Sequence, residues 1–544
     1  MVSTALLAAI LLAAPLNAPH PTPPPPSRPG VIAPKSPDAP ASTAASPPPA
    51  ASPAPSTSSQ SPAGSKTEKP EPPEKKDAVE EEQPVVTQHS IRINGKLLKY
   101  TATAGMMPLE SATGEVEAKM FYIAYTLDNG GKPAKRPLLF AFNGGPGSAA
   151  VWLHLGAIGP RRVALLPNGG MPPPPYHLTD NESTWLDRAD LVFIDPIGTG
   201  YSEAVKPADS QKYWGVQGDI GSVSDFIRMY LTRNDRWNSP LFLAGESYGT
   251  FRAAGLAGAL ADQGISLNGI VLISTVLNFR FLSFGSEDDE PYVLYLPTYT
   301  AAAWYHKKLP ASLEAESLND VLKQSEEWAS TTYAKALQQG DNLSTTDRQA
   351  ALDRLAELTG LPKSYLDDAN LRVNDNRFRK ELLRDQKRTL GRYDSRFTGI
   401  DPDAAGEYET YDPSEATVLP VFTMTFNNYV RTELGYKTDR EYKVLAGVPW
   451  DFGQRRGYPE SASDLRRALA KNPYLKVFVA MGDYDMATPY YSVEYTLSHM
   501  DLAPSMQARI STGHYESGHM IYIDTPSRKK LKSDVAAFMK NAGG

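Results

Sequence analysis

Residues 241–255 read LFLAGESYGTFRAAG: an apolar strand ending at Ala244, then Gly245-Glu246-Ser247-Tyr248-Gly249, then small and apolar residues at helical spacing. A serine with glycines two residues away on either side, between a strand and a helix, is what a hydroxyl nucleophile requires. The turn is strained, and the neighbouring backbone must pass close to it. The hydroxyl is then presented at the carboxyl edge of a sheet, above a helix N-terminus whose N–H groups favour developing negative charge. Ser247 is therefore the candidate nucleophile of an acyl transfer. A glycine-rich turn with no chemistry fits the same five residues, so partners must be found elsewhere in the chain.

Three further segments supply candidates. Residues 138–148, LLFAFNGGPGS, end a strand in Asn143-Gly144-Gly145-Pro146-Gly147. A turn this rich in glycine can aim backbone N–H groups at one point, as an oxyanion requires. A phosphate-cradling loop is the rival, but no Gly-Lys-Ser/Thr follows. Residues 477–489, VFVAMGDYDMATP, place Asp483 and Asp485 just past a strand, where an acid that orients an imidazole belongs. Asp485 is the preferred acid and Asp483 the turn-former. Residues 511–526, STGHYESGHMIYIDTP, contain His514 and His519, each after a glycine. The order Ser247, Asp485, His519 matches the nucleophile–acid–base order of α/β-hydrolases. This agreement unites the four motifs in one site, with His519 as the base.

These residues need a scaffold. Short apolar runs at 138–142, 191–194, 241–243, 270–273 and 477–480 alternate with helix-like stretches such as 222–231 and 252–262. Strand–helix alternation predicts an α/β fold with a largely parallel sheet. Residues 85–105 alternate around Asn94-Gly95, a hairpin signal. Strand signals stop between about 281 and 440, where 312–338 and 346–359 look helical and Ser344-Thr345-Thr346 offers N-cap candidates. This stretch reads as a helical cap inserted between two parts of the core, 85–280 and 441–544. A final helix spans about 527–540.

The 544 residues are unevenly composed: 21 of 47 prolines lie in residues 1–84, which contain none of the 52 aromatics. Such a segment cannot bury enough apolar surface to offset its ordering entropy. Residues 19–84 read as a disordered Pro/Ala/Ser-rich linker, charged towards its end. Residues 4–14, TALLAAILLAA, have the size of a signal-peptide core and are too short to span a bilayer. Residues 1–18 are thus the expected signal and an exported protein is expected, although no Lys or Arg precedes the run. An extended spacer after such a signal suits tethering to a membrane or cell wall; a merely tolerated tail has the same composition. A net charge of −7 argues against a nucleic-acid partner. With no cysteine, and eight histidines in no metal-ligand spacing, neither a metal nor a cofactor is expected.

The motifs together resemble the serine carboxypeptidase family, peptidase family S10, in particular its bacterial members. NGGPGS at 143–148 with Gly159-Pro160 resembles the family's oxyanion segment. Asn181, Ser183-Thr184-Trp185 and LVFIDPIGTGYSE at 191–203 resemble a second block. GESYG, GDYD and GHMIYIDTP resemble the nucleophile, acid and histidine motifs. The resemblance implies Ser247, His519 and Asp485 as the catalytic triad, and the N–H groups of Gly145 and Tyr248 as the oxyanion hole. It implies Asn143, Gly144 and Glu246 as the binding site for a peptide's terminal carboxylate. Peptides with a free C-terminus are then the substrates. Three departures stand out. Ala157 lies where the family carries a second Glu, Tyr522 replaces a Pro, and the family's disulfides cannot form. Arg161 and Arg162, just beyond the Gly-Pro, are alternative carboxylate ligands. An esterase or acyltransferase on the same triad, and a non-catalytic binding protein on a hydrolase scaffold, are the rival readings.

Overall fold

The computed structural model describes residues 82–128, 135–285, 287–453 and 457–543. The expected signal at 1–18, and the linker up to residue 81, lie outside the described residues. From Val85 the chain builds β1 (Val85–Ile93), β2 (Lys96–Glu110), β3 (Val116–Leu127) and β4 (Leu138–Phe142). A small hairpin, β5 (Arg161–Val163) and β6 (Leu178–Asp180), precedes β7 (Asp190–Ile194) and β8 (Glu203–Ala204). Then come β9 (Leu241–Ser247), β10 (Gly269–Thr275), a second small hairpin of β11 (Arg388–Leu390) and β12 (Thr398–Ile400), and finally β13 (Lys476–Gly482) and β14 (Ile510–Tyr515). The main sheet runs β1-β2-β3-β7-β4-β9-β10-β13-β14, with β8 paired to β3. From β7 to β14 the pairings along this order are parallel, whereas β1, β2 and β3 are antiparallel.

Composition explains this division. Every residue of β4, β7 and β10 is buried, as strands covered on both faces require. Alternate side chains feed opposite faces: Leu139, Ala141, Phe193, Ala244 and Ile273 join one apolar cluster, and Phe140, Val192, Leu243 and Leu272 the other. β1 alternates half-buried and exposed residues, as a one-sided strand does. Its turn to β2 puts Asn94 and Gly95 at φ 49° and 78°, the pair of positive values that a tight hairpin demands.

Residues between β10 and β13 carry most of the remaining helices, from Glu290–Tyr305 to Pro413–Thr432. Many of them pack around a third apolar cluster that includes Tyr299, Val321, Leu355 and Phe378. Ser344 caps the helix Thr345–Thr359 by accepting from the Asp347 N–H. Residues 312–338, which look helical, divide once, between Ala311–Glu314 and a helix that runs from Leu318 through a wider π turn at Ala329–Tyr333 to Gln339. Ser317 stops continuity by capping the second piece through the Asp320 N–H. β11 and β12 interrupt the stretch that carries no strand signal; three-residue strands are too short to show alternation.

The helix Tyr248–Asp262 lies against the sheet because Ala253, Ala254 and Ala257 keep its inner surface small. Arg252 is buried on it. Its Nε bonds Asp219 Oδ2 at 2.7 Å and its Nη1 donates to the Asn143 carbonyl at 2.6 Å. The guanidinium also lies over the rings of Phe142 and Tyr248. Removing one partner of a buried ion pair leaves an uncompensated charge. Arg252→Ala is therefore expected to lower unfolding free energy by about 3–5 kcal/mol. Lys530→Ala, which removes the exposed pair to Asp534, should cost less than about 1 kcal/mol. Urea denaturation of both variants checks the contrast.

Candidate active site

Ser247 is the last residue of β9 and precedes the first residue of the helix. Its φ of 60° and ψ of −132° lie where a non-glycine residue costs about 1–3 kcal/mol. The surroundings enforce this conformation. A Cβ on Gly245 would lie 2.1 Å from the Gly249 carbonyl oxygen, so only glycine permits the close pass. A Cβ on Gly144 would lie 2.4 Å from the Tyr248 nitrogen and 2.5 Å from the Gly249 nitrogen. The loop after β4 thus abuts the first turn of the helix, with Gly144 against Glu246, Tyr248 and Gly249 at the sheet edge.

That loop is fixed from several sides. Asn143 Oδ1 accepts from the Leu153 N–H at 3.0 Å, which leaves its amide NH₂ to point elsewhere. Asp195, from the block after β7, accepts from the Ala150 N–H at 2.8 Å. Asn181 donates to the carbonyls of Ala157 and Gly159, and Thr184 to that of Ile158. The second block of the family pattern therefore works by holding backbone.

Asp485 and His519 come together. His519 Nδ1 lies 2.8 Å from Asp485 Oδ2. The same carboxylate accepts from the N–H groups of Ala487 and Thr488 at 2.8 and 2.9 Å, and from the Thr488 hydroxyl at 2.6 Å. With only acceptors on the carboxylate, Nδ1 must be the donor, and a neutral imidazole then keeps Nε2 as a free base. Burial disfavours the His519 cation, but the charge and hydrogen bond of Asp485 outweigh it and hold the imidazole above its usual range. Ser274 Oγ donates to the His519 carbonyl at 2.5 Å, and the next residue, Thr275, is paired with Ser247 across β9 and β10. His519 is thereby anchored to the strand beside the nucleophile. No hydrogen bond joins Ser247 Oγ to the imidazole among the described residues, as is common in the absence of substrate.

Asp483 and His514 form a separate pair. His514 Nδ1 lies 3.2 Å from Asp483 and Nε2 3.0 Å from Glu494, on a half-exposed side chain. These two carboxylates push His514 up to about 10. Arg161 is engaged by Asp180 and Glu433, and Arg162 by Glu182. These ion pairs occupy the two arginines away from the triad candidates.

Glu246 is buried, and burial pushes its carboxyl up to about 7. The Tyr522 hydroxyl and the Asn143 amide, both beside it, pull the other way. Sequence reasoning missed four contributors: Thr488, Ser274, Tyr522 and Tyr393. The ring of Tyr393 stacks on the imidazole at 5.3 Å, and its carbonyl accepts from the His519 N–H at 2.5 Å. Thr488, three residues after the acid, and Tyr522, inside the histidine motif, lay near enough to a motif to be found, and Tyr522 shows in the sequence as a departure from the family pattern.

A family model for serine carboxypeptidases matches residues 95–532. The chain belongs to this family. Serine carboxypeptidase-like 51 of Arabidopsis thaliana is 33% identical over 131 residues, 23% of this chain and 24% of that protein. A pheromone-processing carboxypeptidase of Vanderwaltozyma polyspora is 37% identical over 118 residues, 20% of this chain and 14% of that protein. The chain spans less than half the length of these curated relatives. A crystal structure of a prohormone-processing carboxypeptidase from Saccharomyces cerevisiae matches 81% of this chain and 91% of its own, at 17% identity and a TM-score of 0.48. The mostly parallel sheet with helices between its strands is an α/β-hydrolase fold, as the serine carboxypeptidase pattern implies.

The histidines of this family member should titrate very differently. His514 is expected to keep its proton to about pH 10, and Asp483→Asn to bring its midpoint down. His154, buried and bonded to the Tyr125 hydroxyl, should stay neutral to about pH 3. Imidazole NMR titration of the wild type and the variant reads all three.

Proposed function

We propose that the chain is a serine-type carboxypeptidase that removes residues from the free C-terminus of peptides through an acyl-enzyme at Ser247. The observation that carries this reading is the Asp485–His519 pair, anchored to the strand beside a serine held at a strained turn. In this mechanism His519 Nε2 takes the Ser247 proton as Oγ attacks the scissile carbonyl, then gives it to the departing amine. Asp485, bonded to Nδ1, orients and stabilises the imidazolium. The N–H groups of Gly145 and Tyr248 receive the oxyanion. Water then attacks the acyl carbonyl, His519 takes its proton, and the shortened peptide leaves as a free acid, restoring Ser247.

Asn143, Gly144 and Glu246 take the substrate's terminal carboxylate. A neutral carboxyl donates a hydrogen bond to a carboxylate, whereas an ionised one repels it. A second carboxyl at position 157 would keep a proton on Glu246 by like-charge repulsion. With Ala157 there, burial and the nearby Asp485 support the neutral form up to about pH 7. Ala157 is also what favours the second reading, an esterase or acyltransferase on the same triad. Export, with residues 4–14 as the signal, belongs to the same proposal. Among the described residues no helix is long and apolar enough to cross a membrane.

Ser247→Ala should lower kcat by about 10⁶-fold and abolish labelling by a fluorophosphonate. Absence of labelling in the folded wild type would favour the non-catalytic reading. A blocked dipeptide acid should be turned over faster than its C-terminal amide; equal rates would sink carboxypeptidase specificity. The two substrates should also differ in pH dependence. As pH falls, both lose activity when His519 becomes protonated, at a value above the usual imidazole range. As pH rises through about 7, only the acid should lose kcat/KM, because Glu246 ionises and repels it.

A further inference from the structure

Tyr522 is fully buried in the short turn between His519 and the helix Thr525–Asn541. Its ring fills the space over Gly156, where a Cβ would lie 2.3 Å from Tyr522 Cε2. Packing alone would be served by phenylalanine, yet the ring carries a hydroxyl into a dry interior. That hydroxyl completes no hydrogen bond of good geometry among the described residues, and neither does the buried Oε2 of Glu246. The two groups face each other: the hydroxyl favours the charged form of Glu246, and Glu246 in turn raises the Tyr522 pKa far above the usual phenol range, beyond what burial does alone. Two unsatisfied buried polar atoms facing one another, one residue from Ser247, are an expensive arrangement unless function uses it.

We propose that Tyr522 is a positioning residue that selects peptide acids by aiming the carboxyl of Glu246. The phenol stays neutral and donates to Oε2, its own oxygen facing the Asn143 amide, while Glu246 keeps its proton on the other oxygen. That proton is then directed outwards, towards a ligand carboxylate. The Asn143 amide, oriented by the Leu153 N–H, lies beside both this carboxyl and the Tyr522 hydroxyl. Because a phenol adds no charge, the selection of acids should follow a single ionisation, that of Glu246. This inference rests on the carboxypeptidase reading above and names the residue that sets its specificity.

The test is Tyr522→Phe, which keeps the ring against Gly156 and removes only the hydroxyl. The kcat/KM of a blocked dipeptide acid, measured at pH 7, should fall about tenfold, mainly through KM, while that of its C-terminal amide stays within about twofold. The pH at which acid selectivity is lost should move up by about one unit, because the hydroxyl no longer stabilises ionised Glu246. Fluorophosphonate labelling of Ser247 should proceed at the wild-type rate, showing that the triad is intact. If the variant keeps both the acid-to-amide ratio and the pH midpoint, Tyr522 is a packing residue and the proposal is wrong. If the wild type itself turns over acid and amide equally, the carboxypeptidase reading fails first, and this inference fails with it.

Discussion

A serine held at φ 60° is the constraint on which the rest of this molecule is built. Such a turn persists only where its surroundings over-determine it. Here the determination comes from the β4 loop, whose Gly144 abuts the first helical turn, and from the absence of a side chain at Gly245. Arg252 completes it from beneath. One guanidinium neutralises Asp219 and grips the Asn143 carbonyl, so the helix that follows Ser247 and the loop facing it cannot move apart independently. The small residues of that helix follow from the same need, since a bulkier inner face would lift Ser247 off the sheet edge.

Two carboxyl groups lie near His519 and meet opposite fates. Asp485 has four donors around it, and an anion with its acceptor sites filled is content in a dry interior. Glu246 is equally dry, but it has only the Tyr522 hydroxyl and the Asn143 amide beside it, and burial holds it near neutrality. The difference is one of hydrogen-bond supply rather than depth. It separates a carboxylate bonded to the His519 imidazole from a carboxyl held near neutrality beside Ser247.

The sheet was largely legible in the sequence. Runs such as LLFAF and GIVLIST are apolar without alternation because both faces are covered, and Asn94-Gly95 marks its turn through two positive φ values. The turn at Ser247 was legible because glycine is the only residue that fits beside it. Other features were not. Spacing alone left Asp483 and Asp485 close to equivalent, because both follow the same strand; four hydrogen bonds distinguish them. The break at Ser317 was hidden inside a good helical period, since a cap depends on one side chain rather than on periodicity. Tyr522 read as a departure from a family pattern, and its significance rests on a contact with Glu246 across 276 positions of chain.

The residues between β10 and β13 do more than cover the sheet. Tyr393, in the β11–β12 hairpin, accepts the His519 N–H and stacks on its ring, while Asp394 accepts the Gly518 N–H at 3.1 Å. Arg396 holds Asp394 in place through a bond of 2.7 Å and donates to the Glu516 carbonyl. The loop carrying the imidazole is therefore held from below by Ser274 on the sheet and from above by this hairpin. Its orientation is a property of both, because the carbonyl of His519 belongs to one partner and its N–H to the other. Within the chain between β10 and β13, the segment Gly391–Phe397 is therefore bound to the geometry of the histidine itself.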